Sequence, residues 1–479
     1  MSYKVGAEKN QFMLIPMCID DYIPENHVCR VISGFTNQLD MTAKGFKYSE
    51  CKETGCRPFD PRMMLNLYIY GYLHRVRSSR RLQAETTRNI EVMWLMDGLT
   101  PDDKTISNFR KDNTKAFREA FREFNRICQR LELFGGETAA TDGSKFRANN
   151  ARDNNHNKTT LELKLSRIDK QISEYLNALD ENDAKESGEV MPTPEQIRDA
   201  LEKLNERKEK YTGLLERVET EGEISTVDPD ARLMRQGGDA RRLDVCYNIQ
   251  TIVDGKHNLI AEFDVTNCSD DKGNLQNLAE SAMEIMGVEA ITNLADKGYY
   301  DGQDIVNCEE NGITCLVAKK KAGGAVKSEE FSLESFIYDC ENDCYICPCK
   351  NQLNFKNIQK LKDSKEVRVY VNYTACAECP RRSECTKMTH RRISRLSYQD
   401  TLDIVDERTR SNKELYRKRQ EIVEHPFGTI KAVWGYKQFL CRTKPKVTAE
   451  TAMACLAYNL RRVINIFNEN GWDLVSAIG

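Results

Sequence analysis

The sequence predicts an α/β protein in which a mixed sheet with helices is interrupted twice and is preceded by an all-α segment. Three observations lead there. After residue 136, strand-like runs (TAATDGSKFRA, CYNIQTIVD, LIAEFDVT, TCLVAKK) alternate with helix-like ones, the rhythm of a mixed sheet covered by helices. Before it, apolar residues recur at spacings of three and four, the period of amphipathic helices. Two stretches break the alternation, one charged with leucines at helical spacing and the other crowded with cysteine.

Residues 1–135 read as a helical domain. DPRMMLNLYIYGYLHRV follows an Asp-Pro start, NTKAFREAFREFNRICQRLELF carries an apolar stripe, and Gly135-Gly136 ends it. Between them, LQAETTRNIEVMWLMDGLTPDDKTISNFRKDN has a glycine-containing turn and a polar helix from about Asp103, resembling a helix-turn-helix. Residues 136–321 hold the first part of the sheet, with Asp254-Gly255 turning CYNIQTIVD into LIAEFDVT, a helix over Leu275 to Met286, and a strand ending in ITNLADKGYYDG. A helical hairpin is inserted at about 158–222, carrying Leu161, Leu165, Ile168, Ile172, Leu176 and Leu179 on one helix and Ile197, Leu201 and Leu204 on the next. Residues 322–402 form the cysteine-rich insertion, and 403–479 return to helix, with TAETAMACLAYNLRRVINIF strongly amphipathic.

Composition excludes some classes. In a chain of 479 residues with 30% charged residues, no apolar stretch approaches the roughly 20 residues that span a bilayer, so no membrane partner is expected. The opening MSYKVGAEKNQFMLIP lacks the basic start, apolar centre and small-residue cleavage site of a secretory leader, which gives a cytoplasmic expectation. A net charge of -3 carries no whole-chain nucleic-acid signature. Basic clusters at His74 to Arg81, Arg147 to Lys158 and Arg381 to Arg395 matter more, because the local field governs binding.

Eighteen cysteines in a large chain of a reducing compartment read as buried thiols or metal ligands rather than as a disulfide scaffold. Cys128, Cys246 and Cys455 sit singly among apolar residues and behave as small hydrophobes. In YICPCKNQL and YTACAECPRRSECTK, by contrast, Cys376 and Cys379 form a CxxC, Cys385 follows, and Cys347 or Cys349 completes four thiolates. Tetrahedral Zn²⁺ takes four such ligands at about 2.3 Å, so the segment predicts one structural Zn²⁺ on Cys347, Cys376, Cys379 and Cys385, with Cys349 in reserve. Unliganded thiols or a redox pair are the competing reading.

Three acids stand where a strand or helix would deliver them to one edge of the sheet: Asp142 in TDGSKF, Asp296 in LADKGY and Glu424 in EIVEHPFGTIK. A carboxylate in an apolar strand faces a desolvation cost, and several that converge are tolerated when divalent metals neutralise them. Two such metals about 3.5 to 4 Å apart activate a water or hydroxyl and stabilise the leaving oxygen in phosphodiester displacement. Any one of these residues alone is an ordinary acid among 74; the combination argues for a site.

Through DGSK, YNIQTIVD followed by LIAEFDVT, ADKGYYDG and VEHPFGTIK, the chain resembles the DDE transposases of bacterial insertion sequences, and FDPRMMLNLYIYGYL, DDKTISNFRK and LAYNLRR extend the likeness over nearly its whole length. The resemblance implies an RNase H-like catalytic domain in which Asp142, Asp296 and Glu424 hold two Mg²⁺ (or Mn²⁺) ions. It implies cleavage by water at the element's ends, then attack of the exposed 3′ hydroxyl on target DNA. The partner implied is double-stranded DNA, both the terminal repeats and the target, and holding two ends together implies a homo-oligomer in the DNA complex. Lys104, Ser107, Arg110 and Lys111 fall on the candidate major-groove helix, and Lys431 is placed to contact a phosphate. In the family's Tyr, Arg, Glu, Lys signature a tyrosine stands seven residues before the glutamate, whereas here Arg417 has that place and Tyr416 precedes it. Glu421 competes as third acid, but on a regular helix Lys431 lies within about 20° of Glu424 and about 80° from Glu421. A non-catalytic regulator descended from a transposase and a nuclease that cleaves without joining are the alternative functions.

Overall fold

A computed structural model describes residues 18–50, 57–184, 194–236, 243–319, 329–360 and 366–478. Among the described residues six α-helices precede the sheet: α1 (Val28–Asn37), α2 (Pro61–Leu73), α3 (Ser79–Arg88), α4 (Ile90–Leu95), α5 (Asp103–Asp112) and α6 (Thr114–Arg130). Their starts are legible locally. Asp60 accepts the Arg62 amide with Pro61 at the first helical position of α2, and Asp102 accepts the Thr105 amide to open α5. The stripe of α6 buries Phe117, Phe121 and Phe124.

The main sheet is mixed. Its strands are β1 (Thr138–Arg147), then, after β2 (Asn155–His156) and β3 (Ile224–Ser225), β4 (Arg232–Arg235), β5 (Leu243–Asp254), β6 (Ile260–Thr266), β7 (Ile291–Ala295) and β8 (Ile313–Val317). The order is β4-β5-β1-β7-β8, with β6 also on β5. β5 is antiparallel to β1, β4 and β6, whereas β1, β7 and β8 run parallel. Parallel neighbours need crossovers. α9 (Leu275–Met286) joins β6 to β7, and α10 (Gly302–Glu310) joins β7 to β8.

Between β2 and β3 two long helices, α7 (Lys158–Ala184) and α8 (Pro194–Glu221), pack along each other; residues 185–193 between them lie outside the described residues. Leu161, Leu214, Val218 and Ile224 close a small core at their base. The cysteine-rich stretch forms a second sheet of β9 (Ile337–Asp339), β10 (Cys344–Ile346), β11 (Gln352–Lys360), β12 (Glu366–Val371) and β13 (Arg392–Leu396), an antiparallel meander in the order β13-β12-β11-β10-β9. Two short helices, α11 (Tyr373–Glu378) and α12 (Arg382–Cys385), lie between β12 and β13. Its main buried core is Phe336, Tyr345, Leu353, Tyr370 and Ile393, separate from that of the main sheet.

The chain then returns through α13 (Gln399–Ser411), α14 (Lys413–Phe427), a π-helical segment (Gly428–Val433), α15 (Lys444–Asn470) and α16 (Leu474–Ile478). α15 packs against α2, α6 and β6 and is buried without a break from Ala449 to Leu460. Polar ties cross the same junction: Arg122 Nε meets Glu262 Oε2 at 2.7 Å, and Asn459 Nδ2 donates to Asn125 Oδ1 at 2.8 Å and to the Ile260 carbonyl at 2.8 Å. The apolar core therefore runs continuously from α1–α6 into the sheet and α15. Among the described residues no helix is long and apolar enough to cross a membrane.

Candidate active site

β1 and β7 pair in parallel up to Thr141 and Ala295. The next residues, Asp142 and Asp296, therefore stand side by side where β7 ends and β1 continues. Neighbouring strands lie about 4.8 Å apart and matched positions share a face, so both carboxylates leave the sheet together. Asp296 also caps the short turn Lys297–Tyr299 by accepting the Gly298 amide at 2.5 Å, which fixes its side chain at the strand end. Burial pushes the Asp142 carboxyl up to about 6; Asp296 and Asp271 act in the same direction, and Arg419 and the Gly143 amide oppose them.

Asp271 was not singled out by the sequence. It follows β6 in the loop before α9 and accepts Nδ2 of Asn248 at 2.8 Å and Nε2 of Gln250 at 2.7 Å. Tyr299 donates its hydroxyl to Oε1 of Gln250, which joins this group to the turn after Asp296. Two glycines make room for it. A Cβ on Gly143 would stand 2.6 Å from Asp271 Oδ1, and one on Gly298 would stand 3.1 Å from Asp271 Oδ2. Those glycines, one residue after Asp142 and two after Asp296, were the available sequence signal.

α14 packs on β1, β5 and β7. Tyr416 donates its hydroxyl to the Ala295 carbonyl at 3.1 Å, and Arg419, one turn on, is the cation that acts on Asp142. Tyr416 and Arg419 are half-buried toward the aspartates, while Arg417 is exposed. Glu424 lies on the same helix, exposed, and among the described residues its side chain has no hydrogen bond or ion pair and does not join the two aspartates in a group set to hold a metal ion. Glu421 is exposed as well. Pro426 has no amide to donate to Ile422, and the helix widens into the π segment, where the Trp434 amide reaches back to the Thr429 carbonyl at 2.9 Å. The regular-helix phase expected from Glu424 to Lys431 does not hold across that segment. Lys431 is not a free surface lysine either. Its Nζ donates to Ser144 Oγ at 2.7 Å and to the Lys145 carbonyl at 2.6 Å, and burial brings its ammonium down to about 8.

On α5, Lys104 and Lys111 are exposed and Ser107 is half-buried. Arg110 is 8% exposed and lies over the Tyr68 ring at 5.8 Å, turned inward rather than out from α5: the same apolar spacing that turns Ile106 and Phe109 inward carries Arg110 with them. The five clustered cysteines, Cys347, Cys349, Cys376, Cys379 and Cys385, line one cavity at the edge of the second sheet. Among the described residues, no group of three or more His, Cys, Asp or Glu is set to hold a metal ion as it stands.

Two comparisons bear on this arrangement. Residues 17–112 match a family described as "Transposase domain (DUF772)", and residues 346–464 match a family described as "Transposase DDE domain". These matches indicate an insertion-sequence DDE transposase. The first match spans α1–α5, and the second spans the five cysteines, Glu424, Lys431 and most of α15; Asp142 and Asp296 fall between the two. A DDE transposase is a DNA-processing enzyme, and divalent metals serve that family generally. No curated protein and no solved structure matches the chain.

Proposed function

We propose that this transposase binds the terminal inverted repeats of an insertion sequence, cleaves DNA at the element's ends and transfers the strands to target DNA at a site formed by Asp142, Asp296 and Glu424. The observation that carries the reading is the parallel register that sets Asp142 beside Asp296 at the end of β7. The strand order and directions, with β1, β5 and β6 antiparallel in turn and β7 and β8 parallel to β1, fit an RNase H-like sheet.

The donors suit hard divalent cations, Mg²⁺ or Mn²⁺, which take carboxylate oxygens. A half-buried Asp142 whose carboxyl is raised to about 6, beside two further aspartates and with Arg419 as the opposing side-chain charge, is a site short of positive charge. Asp142 and Asp296 would hold the cations and Glu424 would complete the set from α14. Bound cations supply activation of the attacking oxygen and neutralisation of the leaving one. Arg419 limits the mutual repulsion of the aspartates. Tyr416 ties α14 to the end of β7, and Lys431, in the π segment that follows, ties it to β1; Glu424, exposed on α14, would have to turn toward the aspartates to join them. Lys104 and Lys111 on α5 would meet backbone phosphates.

Incubating the purified protein with labelled DNA carrying its element's ends and Mg²⁺ tests this reading. Joined products support transposition, cut but unjoined ends point to a nuclease, and binding without cleavage points to a non-catalytic regulator.

A further inference from the structure

We propose that the second sheet carries one structural Zn²⁺ whose ligands are Cys376, Cys379, Cys385 and one thiol of the Cys347-Pro348-Cys349 turn, with Cys347 and Cys349 able to replace one another. This inference is independent of the aspartate site. The small sheet is held by two small apolar clusters, five buried side chains on one and Val367, Val369 and Val371 on the other, the modest kind of core that a metal staple reinforces. All five thiols border one cavity, brought there from two arms: the turn between β10 and β11, and the α11–α12 segment.

Each thiol of the turn has its own qualification. Cys349 Sγ stands 4.0 Å from Cys379 Sγ, close to the roughly 3.8 Å edge of a tetrahedron with Zn–S bonds of about 2.3 Å. Cys347 Sγ accepts the Asn351 amide at 3.3 Å, and Cys347 packs on the small core together with Cys385. The turn is held by the Lys350 amide on the Cys347 carbonyl at 2.7 Å, with Lys350 in the left-handed region at φ 63. Charge agrees. Four thiolates around Zn²⁺ leave two negative charges, and Arg382 and Arg391 border the same cavity. Among the described residues Arg391 Nε is buried with no hydrogen-bond partner, a donor that a thiolate would satisfy. The five sulfurs do not yet converge on one point. Binding therefore draws the two arms together, and the bonds made are four Zn–S bonds with release of the thiol protons.

The test is zinc content of the full-length protein purified without chelator, with Co²⁺ substitution as a second readout of tetrahedral thiolate ligation. The account expects about one Zn²⁺ per chain in the wild type, in Cys347→Ser and in Cys349→Ser, and loss of zinc in the variant carrying both substitutions and in Cys379→Ser. Co²⁺ in the wild type should show sulfur-to-cobalt charge transfer, which reports the site even where a variant fails to fold. A wild type without zinc and without that band overturns the site. Loss of zinc from either single turn variant overturns the shared fourth ligand.

Discussion

Tyr416 donates its hydroxyl to the carbonyl of Ala295, the last residue of β7 and the one before Asp296, at 3.1 Å. That bond, one turn before Arg419, orients α14 against the aspartates. Arg419 is the side chain that holds the Asp142 carboxyl down against burial. Removing it raises that carboxyl above about 6, so the acid limb of cleavage should move to higher pH. Arg419→Gln is expected to lose activity at pH 7 by roughly tenfold and to recover part of it by pH 8.5, at unchanged DNA affinity. A pH–rate profile superimposable on the wild type would contradict this role.

Asp142 should also be a stability liability. Its folded carboxyl, at about 6, lies above the usual 3.8, so between those values the folded state binds more protons than the unfolded one and stability falls as pH rises. By neutral pH the charged group costs about 2 kcal/mol after allowance for its partial exposure. Asp142→Asn is expected to raise stability by that amount at pH 7.5 and by nothing below about pH 4. Denaturant unfolding at the two pH values checks it; equal stabilities at pH 7.5 would refute the burial argument.

Gly143→Ala should disable the site through Asp271. The added Cβ would stand 2.5 Å from Gln250 Nε2 and 2.6 Å from Asp271 Oδ1, so the group that joins Asp271 to Tyr299 must shift. Cleavage is expected to fall by tenfold or more, with about 1 to 2 kcal/mol lost in stability. Wild-type turnover in this variant would show that Asp271 does not shape the site.

Lys104→Ala with Lys111→Ala should weaken binding to the element's ends and flatten its salt dependence by about two units of slope, because both residues are exposed on α5. Arg110→Met should instead change stability and leave the salt slope alone, since Arg110 is buried over Tyr68. Salt series on the two variants distinguish these outcomes; the reverse pattern would place DNA contacts elsewhere.

Much of this was readable in the sequence because it is written locally. Strand-like runs pointed to β1, β5 and β6, the apolar stripe to α6, the Asp60-Pro61 start to α2 and the polar run from about Asp103 to α5. What escaped depends on distant packing. Asp271 joins Asn248 and Gln250 only once β5 and β6 pair, and Arg110 turns inward because α5 packs with α3, α6 and α15. The phase from Glu424 to Lys431 failed for a local reason with a non-local outcome. Pro426 breaks the regular ladder, and Lys431 then finds Ser144 on β1.

The central claim is that Asp142, Asp296 and Glu424 act as one metal-dependent site, and it is tested most directly by cleavage of labelled element-end DNA, with binding measured on the same preparations. Asp142→Ala, Asp296→Ala and Glu424→Gln should each lose at least a hundredfold in Mg²⁺-dependent cleavage while keeping near-normal end binding, and Glu421→Gln should keep most activity. Substantial cleavage by either aspartate variant, or loss in Glu421→Gln with activity retained in Glu424→Gln, would contradict the account.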